Sequence, residues 1–248
     1  CSSDLIVDKL QLQEDEYIFP YHYLTNLDNN VPSIYKRLSW AYEYITYIDF
    51  VRKYIKEKLK PDTMLDIGCG DGYLVNSFDY DTNKLYKGID ISERAIGFAK
   101  AFSNGYEFEC TDLFKIDTQF NIVCLIEVLE HISDDILKSF IAEAFSKVKV
   151  GGHMVIAVPT TVEKVHKKHY RHYDESLLKK QCDQDNFELI EEVRLYKKSS
   201  ILERLIKFSQ RRNSKTLKRL VWSWHKKNTY FSDINSGKHL VAIYKRTS

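Results

Sequence analysis

Met64-Leu65-Asp66-Ile67-Gly68-Cys69-Gly70-Asp71-Gly72 is a short apolar run that breaks into three alternating glycines. The residues before Gly68 read as a buried strand, and glycines directly after a strand allow a tight turn and a close approach of backbone to ligand. Dinucleotide-binding turns share this feature but place the third glycine three residues after the second. That position is Tyr73 here, and the third glycine stands at Gly72 instead. Asp66, two residues ahead of the first glycine, would repel a pyrophosphate and suits a ligand that carries an ammonium group. The turn therefore predicts a site for a cationic small molecule around Asp66, Gly68, Cys69, Gly70 and Gly72.

Outward from this loop the chain alternates strand with helix. Strands are expected at Thr63–Gly68, Leu85–Ile91, Tyr106–Asp112, Phe120–Val128 and His153–Val158, and helices at Tyr73–Phe78, Glu93–Phe102, Ser133–Val148 and Glu175–Cys182. Such alternation predicts an α/β fold, a doubly wound and mostly parallel sheet with helices on both faces, whose ligands bind beyond the carboxyl ends of the strands. Asp90 ends the second strand about 20 residues after the glycines, where a carboxylate accepts hydrogen bonds from ribose hydroxyls. Asp112 ends the third, beside the apolar Leu113. Any one of these aspartates reads equally well as a solvated strand end or a helix cap. Three of them at successive strand ends, together with the glycine turn, point to a ligand site.

At these residues the sequence resembles the class I S-adenosylmethionine-dependent methyltransferases. The resemblance rests on Met64 to Gly72, on Gly88-Ile89-Asp90-Ile91-Ser92 and on Cys110-Thr111-Asp112-Leu113. It continues in Glu127-Val128-Leu129-Glu130-His131-Ile132 and in Gly151-Gly152-His153-Met154-Val155-Ile156-Ala157-Val158-Pro159. It implies a seven-stranded sheet with an antiparallel last strand and S-adenosylmethionine as cofactor. The glycine loop would hold the methionine end, Asp90 and Ile91 the ribose, and Asp112 and Leu113 the adenine, with Glu127 and Val128 lining the pocket. It says little about the acceptor.

A sulfonium is an activated electrophile, so the protein has mainly to align an acceptor and exclude water. A hydroxyl acceptor must also lose a proton, and histidine is the usual base. His131 and His172 are the expected catalytic residues, the second within a His166, His169, Arg171, His172, Tyr173 cluster that is otherwise a solvated basic loop. Glu127, Glu130 and His131 share one face if helical, and a later histidine would complete a divalent metal site. Small-RNA 2′-O-methyltransferases and some ubiquinone-pathway O-methyltransferases look similar there. The same wording occurs in relatives thought to need no metal, and the metal ligands stay unassigned.

Residues 1–60 are expected to form an aromatic and helical cap, with Tyr17, Phe19, Tyr21, Tyr23 and Tyr35 followed by an amphipathic helix over Ser39–Leu59. The cap should fold over the cofactor mouth. Residues 61–248 are the expected methyltransferase domain, with Phe187–Tyr196 and His239–Lys245 as its last two strands and the final one antiparallel. Between them, at about residues 198–238, lies a basic helical insertion. Arg194 to Lys227 hold twelve basic residues against one acid, Glu203, interleaved with Ile201, Leu202, Leu205, Ile206, Leu217, Leu220, Val221 and Trp224. The insertion is expected on the acceptor side of the sheet, as a structural lid or as a surface for an anionic membrane or an anionic substrate.

The leading expectation is methylation of an oxygen on a small-molecule or saccharide-type acceptor. RNA 2′-O-methylation with a metal is the alternative, and nucleic acid ranks lower because no RNA-binding module is evident. A third reading, of another class, is a regulatory protein that binds S-adenosylmethionine without turnover. The start Cys1-Ser2-Ser3-Asp4 lacks the regions of a signal peptide, no apolar run is long enough for a membrane span, and five cysteines form no CxxC pair. These features are read as a cytoplasmic protein with free thiols.

Overall fold

The computed structural model describes residue 9, residues 11–33 and residues 40–248. Cys1, Tyr35 and Ser39 of the expectations above lie outside the described residues. A small antiparallel hairpin, β1 (Asn26–Asp28) with β2 (Val31–Ser33), precedes α1 (Ala41–Lys53), whose continuation Tyr54–Leu59 widens so that Lys60 N bonds Ile55 O at 2.8 Å. Lys60 ends it in the left-handed region, at φ 47°, and Pro61 leads into the sheet. The expected single helix over Ser39–Leu59 is thus two kinds of helix in sequence.

The sheet is built from β3 (Thr63–Ile67), β4 (Leu85–Asp90), β5 (Glu107–Cys110), β6 (Phe120–Ile126), β7 (Val148–Pro159), β8 (Phe187–Lys197), β9 (Phe231–Ser232) and β10 (Gly237–Arg246). Its order is β5-β4-β3-β6-β7-β10-β8-β9. The first five neighbours run parallel, and β10 lies antiparallel between β7 and β8. The antiparallel last strand agrees with the expectation. The two-residue β9, drawn from the basic insertion, adds an eighth strand at the edge. The helices are α2 (Tyr73–Asn76), α3 (Glu93–Ala101), α4 (Asp134–Ser146), α5 (Glu175–Gln181), α6 (Ser200–Arg212) and α7 (Lys215–Asn228).

Strand period two sorts the core into two layers. Met64, Ile122, Cys124, Val155, Val241 and Ile243 face a layer that includes Ile45, Ile48 and Val51 of α1, Ile96 and Ala99 of α3, and Leu202 and Trp222 of the insertion. Leu65, Val123, Leu125, Ile156, Leu240 and Ala242 face Leu137, Ile141 and Phe145 of α4 and Leu178 of α5. Trp222 is completely buried, and truncating such a side chain to alanine costs about 3–5 kcal/mol. The neighbouring His225 bridges Thr46 of α1 at 3.0 Å and Thr229 at 2.6 Å. The insertion is therefore anchored on α1 by apolar burial and a satisfied buried imidazole. Of the cysteines, Cys69, Cys124 and Cys182 are buried free thiols, whereas Cys110 is exposed.

Candidate functional site

A cavity of about 1010 Å³ opens beyond the carboxyl ends of β3, β4, β6 and β7. Strand β3 ends in the glycine loop, where Gly68 N and Cys69 N both donate to Ile89 O of β4, at 2.8 and 3.0 Å. Gly68 has φ 69° and a Cβ there would stand 2.6 Å from Val128 Cγ2, while Gly70 has φ 55° and its Cβ would stand 2.5 Å from the Tyr17 hydroxyl. Both the backbone and the close packing require glycine at these two positions. Cys69 and Gly70 line the cavity with Asp66 and Asp90, and Gly72 instead caps α2 in the left-handed region.

The two carboxylates are short of compensating charge. Burial, and then the neighbouring Asp90, push the Asp66 carboxyl up to about 8. Burial also raises Asp90, although it accepts from Gly70 N and Ser92 N, both at 2.9 Å. Asp90 thus braces the glycine loop as well as facing the cavity. Asp112 accepts from Phe114 N at 3.0 Å and caps the turn Leu113–Lys115, so the helix-cap reading is realised at a residue that also lines the cavity. Ile91, Leu113 and Val128 line the cavity with it.

The N-terminal segment lies across the mouth. Tyr17, Tyr21, His22 and Trp40 line the cavity, with Tyr17 stacked on Tyr21 at 5.4 Å and Tyr21 edge-on to Trp40 at 5.7 Å. His22 binds the fully buried Asp71 through its ring, at 2.8 Å, and through its backbone N, at 3.1 Å. The Arg94 guanidinium donates to Glu14 O at 3.2 Å, and Lys168 pairs with Glu16. Residues distant in sequence thereby hold the aromatic segment against the glycine loop, the start of α3 and the segment after β7.

Glu127 does not share a face with Glu130 and His131, because it takes a left-handed φ of 57° and residues 129–131 form a tight 3-10 turn. The expected trio is divided. Glu127 reaches His239 Nδ1 at 3.0 Å, and Glu43 of α1 reaches His239 Nε2 at 2.6 Å. Burial acts to lower the His239 pKa, but the two carboxylates outweigh it and hold it at about 10, so the ring is an imidazolium. Lys238 extends the chain of charges to Glu43 at 3.0 Å and to Glu163 at 3.2 Å.

Glu130, His131 and His169 converge instead, with one ligand atom from each within 4.8 Å of the others. Arg171 arranges this: its guanidinium donates to Leu129 O at 2.7 Å and Ile132 O at 2.6 Å, and Tyr170 N donates to Glu130 O at 2.7 Å, which fastens residues 160–174 to the turn after β6. Both Glu130 side-chain oxygens are buried and lack a hydrogen-bond partner among the described residues, and burial and Glu127 raise its carboxyl well above the usual range. Burial, ahead of nearby Lys168, lowers His131 to about 3, and burial with His131 and His172 lowers His169 to about 2.

His172 stands behind His169. Its Nδ1 lies 2.9 Å from Glu163 O, an atom that can only accept, so Nδ1 carries the hydrogen and Nε2 accepts from His169 Nδ1 at 2.9 Å. Both His172 ring nitrogens are thereby engaged, and the His169 Nε2 lone pair is left for a ligand. Sequence reasoning named His169 only as part of a cluster, and it missed Glu43, Asp71, Lys238 and His239. One signal existed for His239: an antiparallel strand begins where its parallel neighbours end. Of the insertion expected at about residues 198–238, Lys238 lines the cavity with His239, whereas among the described residues none of 199–237 does, so its two helices lie off the cavity.

The methyltransferase-domain family matches residues 39–192. The ubiquinone biosynthesis O-methyltransferase of Rhodopseudomonas palustris (strain BisB18) is 34% identical over 100 residues, covering 38% of this chain and 38% of that protein. The chain spans less than half the length of the curated relatives it matches, between 36% and 47% of each. Among solved structures, the N-methyltransferase NodS from Bradyrhizobium japonicum WM9, in complex with S-adenosyl-L-homocysteine, aligns with 97% of this chain and 99% of its own at 16% identity, with a TM-score of 0.62. The [4+2]-cyclase SpnF aligns with 98% of this chain and 93% of its own at 17% identity and a TM-score of 0.57. These two likenesses concern the fold. With the family match over residues 39–192, the chain belongs to the class I S-adenosylmethionine-dependent methyltransferases.

Proposed function

We propose that the protein transfers the methyl group of S-adenosylmethionine to an oxygen of a small-molecule acceptor. The observation that carries the cofactor site is the buried Asp66 carboxylate with the partly buried Asp90 next to it, beside glycines that admit a close ligand. A cationic ligand relieves their charge deficit. Asp66 faces the ammonium of the methionine end, Asp90 the ribose hydroxyls through its remaining lone pairs, and Asp112, Ile91 and Leu113 the adenine side. A cavity of about 1010 Å³ stands at the top of the range of about 300–1,000 Å³ for single-ligand pockets, which leaves space for an acceptor.

In the transfer the C–S bond breaks, its electrons stay on sulfur, and a C–O bond forms as the hydroxyl proton leaves. The curated relatives named as O-methyltransferases support an oxygen acceptor. A phenolic or saccharide hydroxyl fits this chemistry. Glu130, His131 and His169 support the acceptor side, and their carboxylate and two neutral imidazoles suit a divalent cation of borderline softness. Such a cation, when bound, would acidify the acceptor hydroxyl. His172 fixes the tautomer of His169, and Arg171 fixes the loop that brings it to Glu130. The free thiols Cys69, Cys124 and Cys182 support a reducing, cytoplasmic setting.

The test is incubation of a cell extract with the protein and methyl-labelled cofactor, read by mass spectrometry for a labelled product and S-adenosylhomocysteine. Repetition after EDTA, with Mg²⁺, Mn²⁺ or Zn²⁺ restored, reads the cation, and a short RNA in place of the extract reads the alternative acceptor. Cofactor binding without turnover on any acceptor would make the protein a binding module and overturn the proposal.

A further inference from the structure

The basic insertion is a two-helix hairpin whose sequence is used in two ways. In α6, Leu202, Ile206 and Ser209 are buried against the body, and helical spacing places Ile201, Arg204, Phe208 and Arg211 on the opposite side. Ile201 is 56% exposed and Phe208 49% exposed, and the Arg212 guanidinium lies over the Phe208 ring at 5.6 Å. In α7, Val221, Trp222 and His225 are buried while Leu220 is 62% exposed. Phe231 and Ile234, just beyond α7, are also exposed. The hairpin is firmly built: Ser199 caps α6, Ser214 caps α7, and Asn213 turns between them with φ 46°.

Its charges are unbalanced. Among the described residues, Arg204, Lys207, Arg211, Arg212, Lys215, Arg219 and Lys227 take part in no ion pair, whereas Arg94, Lys147, Arg171 and Arg194 elsewhere each have a carboxylate within 4.0 Å. Exposed large apolar side chains interleaved with uncompensated cations match one kind of surface, the boundary between anionic headgroups and acyl chains. A nucleic acid would account for the cations but not for Ile201 and Phe208. No described helix is long and apolar enough to cross a membrane, so the contact is peripheral.

We propose that α6 and α7 form a docking face for an anionic lipid bilayer, with Ile201 and Phe208 entering the interfacial layer and the arginines and lysines on the headgroups. The face lies outside the cavity lining, so docking leaves the cofactor site untouched. Each basic residue near an anionic surface contributes about fivefold to partitioning, and salt screens it.

The experiment is flotation of the full chain with vesicles of phosphatidylcholine alone, or of phosphatidylcholine and phosphatidylglycerol in equal parts, across a salt series. Binding is expected only to the anionic vesicles and should weaken as salt rises. Reversing Arg204, Arg211, Arg212 and Lys215 to Glu should lower partitioning by roughly a hundredfold or more. Ile201→Ser with Phe208→Ser should lower it while keeping every charge, and S-adenosylmethionine affinity within twofold of the parent shows that each variant is folded. Three outcomes overturn the proposal: no binding to anionic vesicles at low salt, binding that ignores the serine pair, or binding to a mixed-sequence RNA in preference to vesicles.

Discussion

The cavity wall and the α6–α7 hairpin both concentrate charge, but they do so under opposite conditions. At the wall, Glu127, His239, Glu43 and Lys238 are joined by contacts of 2.6–3.0 Å in a region where His239 is 5% exposed. On the hairpin, Arg204, Lys207, Arg211, Arg212, Lys215, Arg219 and Lys227 are exposed and, among the described residues, take part in no ion pair. A buried charge must be matched because desolvation is expensive, whereas an exposed one costs little and is free to meet an external anion. Charges at the wall should therefore govern stability and ligand affinity, and those on the hairpin neither.

The strongest attack on this contrast is His239→Gln. Removing the imidazolium leaves Glu127 and Glu43 facing each other, and loss of one partner of a buried pair costs about 3–5 kcal/mol. Urea denaturation that finds less than a fifth of that would break the comparison. The pH dependence has a definite sign. His239 is held at about 10 against an ordinary 6.5, so its stabilisation is complete below about 6.5 and is lost as pH rises toward 10. The His239→Gln variant should lack that decline.

Asp90→Ala comes next, with an expected loss of about 1.5–3 kcal/mol in S-adenosylmethionine affinity by calorimetry, the range for a hydrogen bond to a charged group. A smaller effect follows from Asp66. Its carboxyl is protonated below about 8, and a cationic ligand binds the ionised form, so affinity should fall as pH drops below 8. Linkage to one proton limits the fall to about tenfold per pH unit, and Asp66→Asn should flatten it. The smallest effect sharpens the other side of the contrast. Reversing Arg204, Arg211, Arg212 or Lys215 singly should change unfolding free energy by no more than about 0.5 kcal/mol each, as for other exposed sites.

Much of the site was legible where its determinants are local. The alternating glycines after an apolar run specify a strand and a turn because φ and Cβ sterics act within a few residues. Asp66 and Asp90 follow from the same local pattern, since each ends or nearly ends a strand. Glu127 was legible as a pocket residue but not in its direction. An assumed helix put it beside Glu130, and the left-handed turn sent it to His239, 112 residues away. His172 was legible as part of a polar cluster, yet its role depends on which neighbour accepts its proton.

The sequence by itself determined the alternation of strand and helix, the glycine loop, the cofactor class and the basic character of the insertion, because each is carried by residues close together along the chain. Only the tertiary structure decided the rest. Glu43, Asp71, Lys238 and His239 meet their partners through the order of strands and the path of the N-terminal segment, and no spacing along the chain encodes that. The insertion joins the ends of β8 and β10 beside the cavity, but burial of Val221 and Trp222 draws its helices onto α1, away from the cavity lining. Packing of apolar side chains sets where a surface helix sits, and that is a property of the whole molecule rather than of the helix.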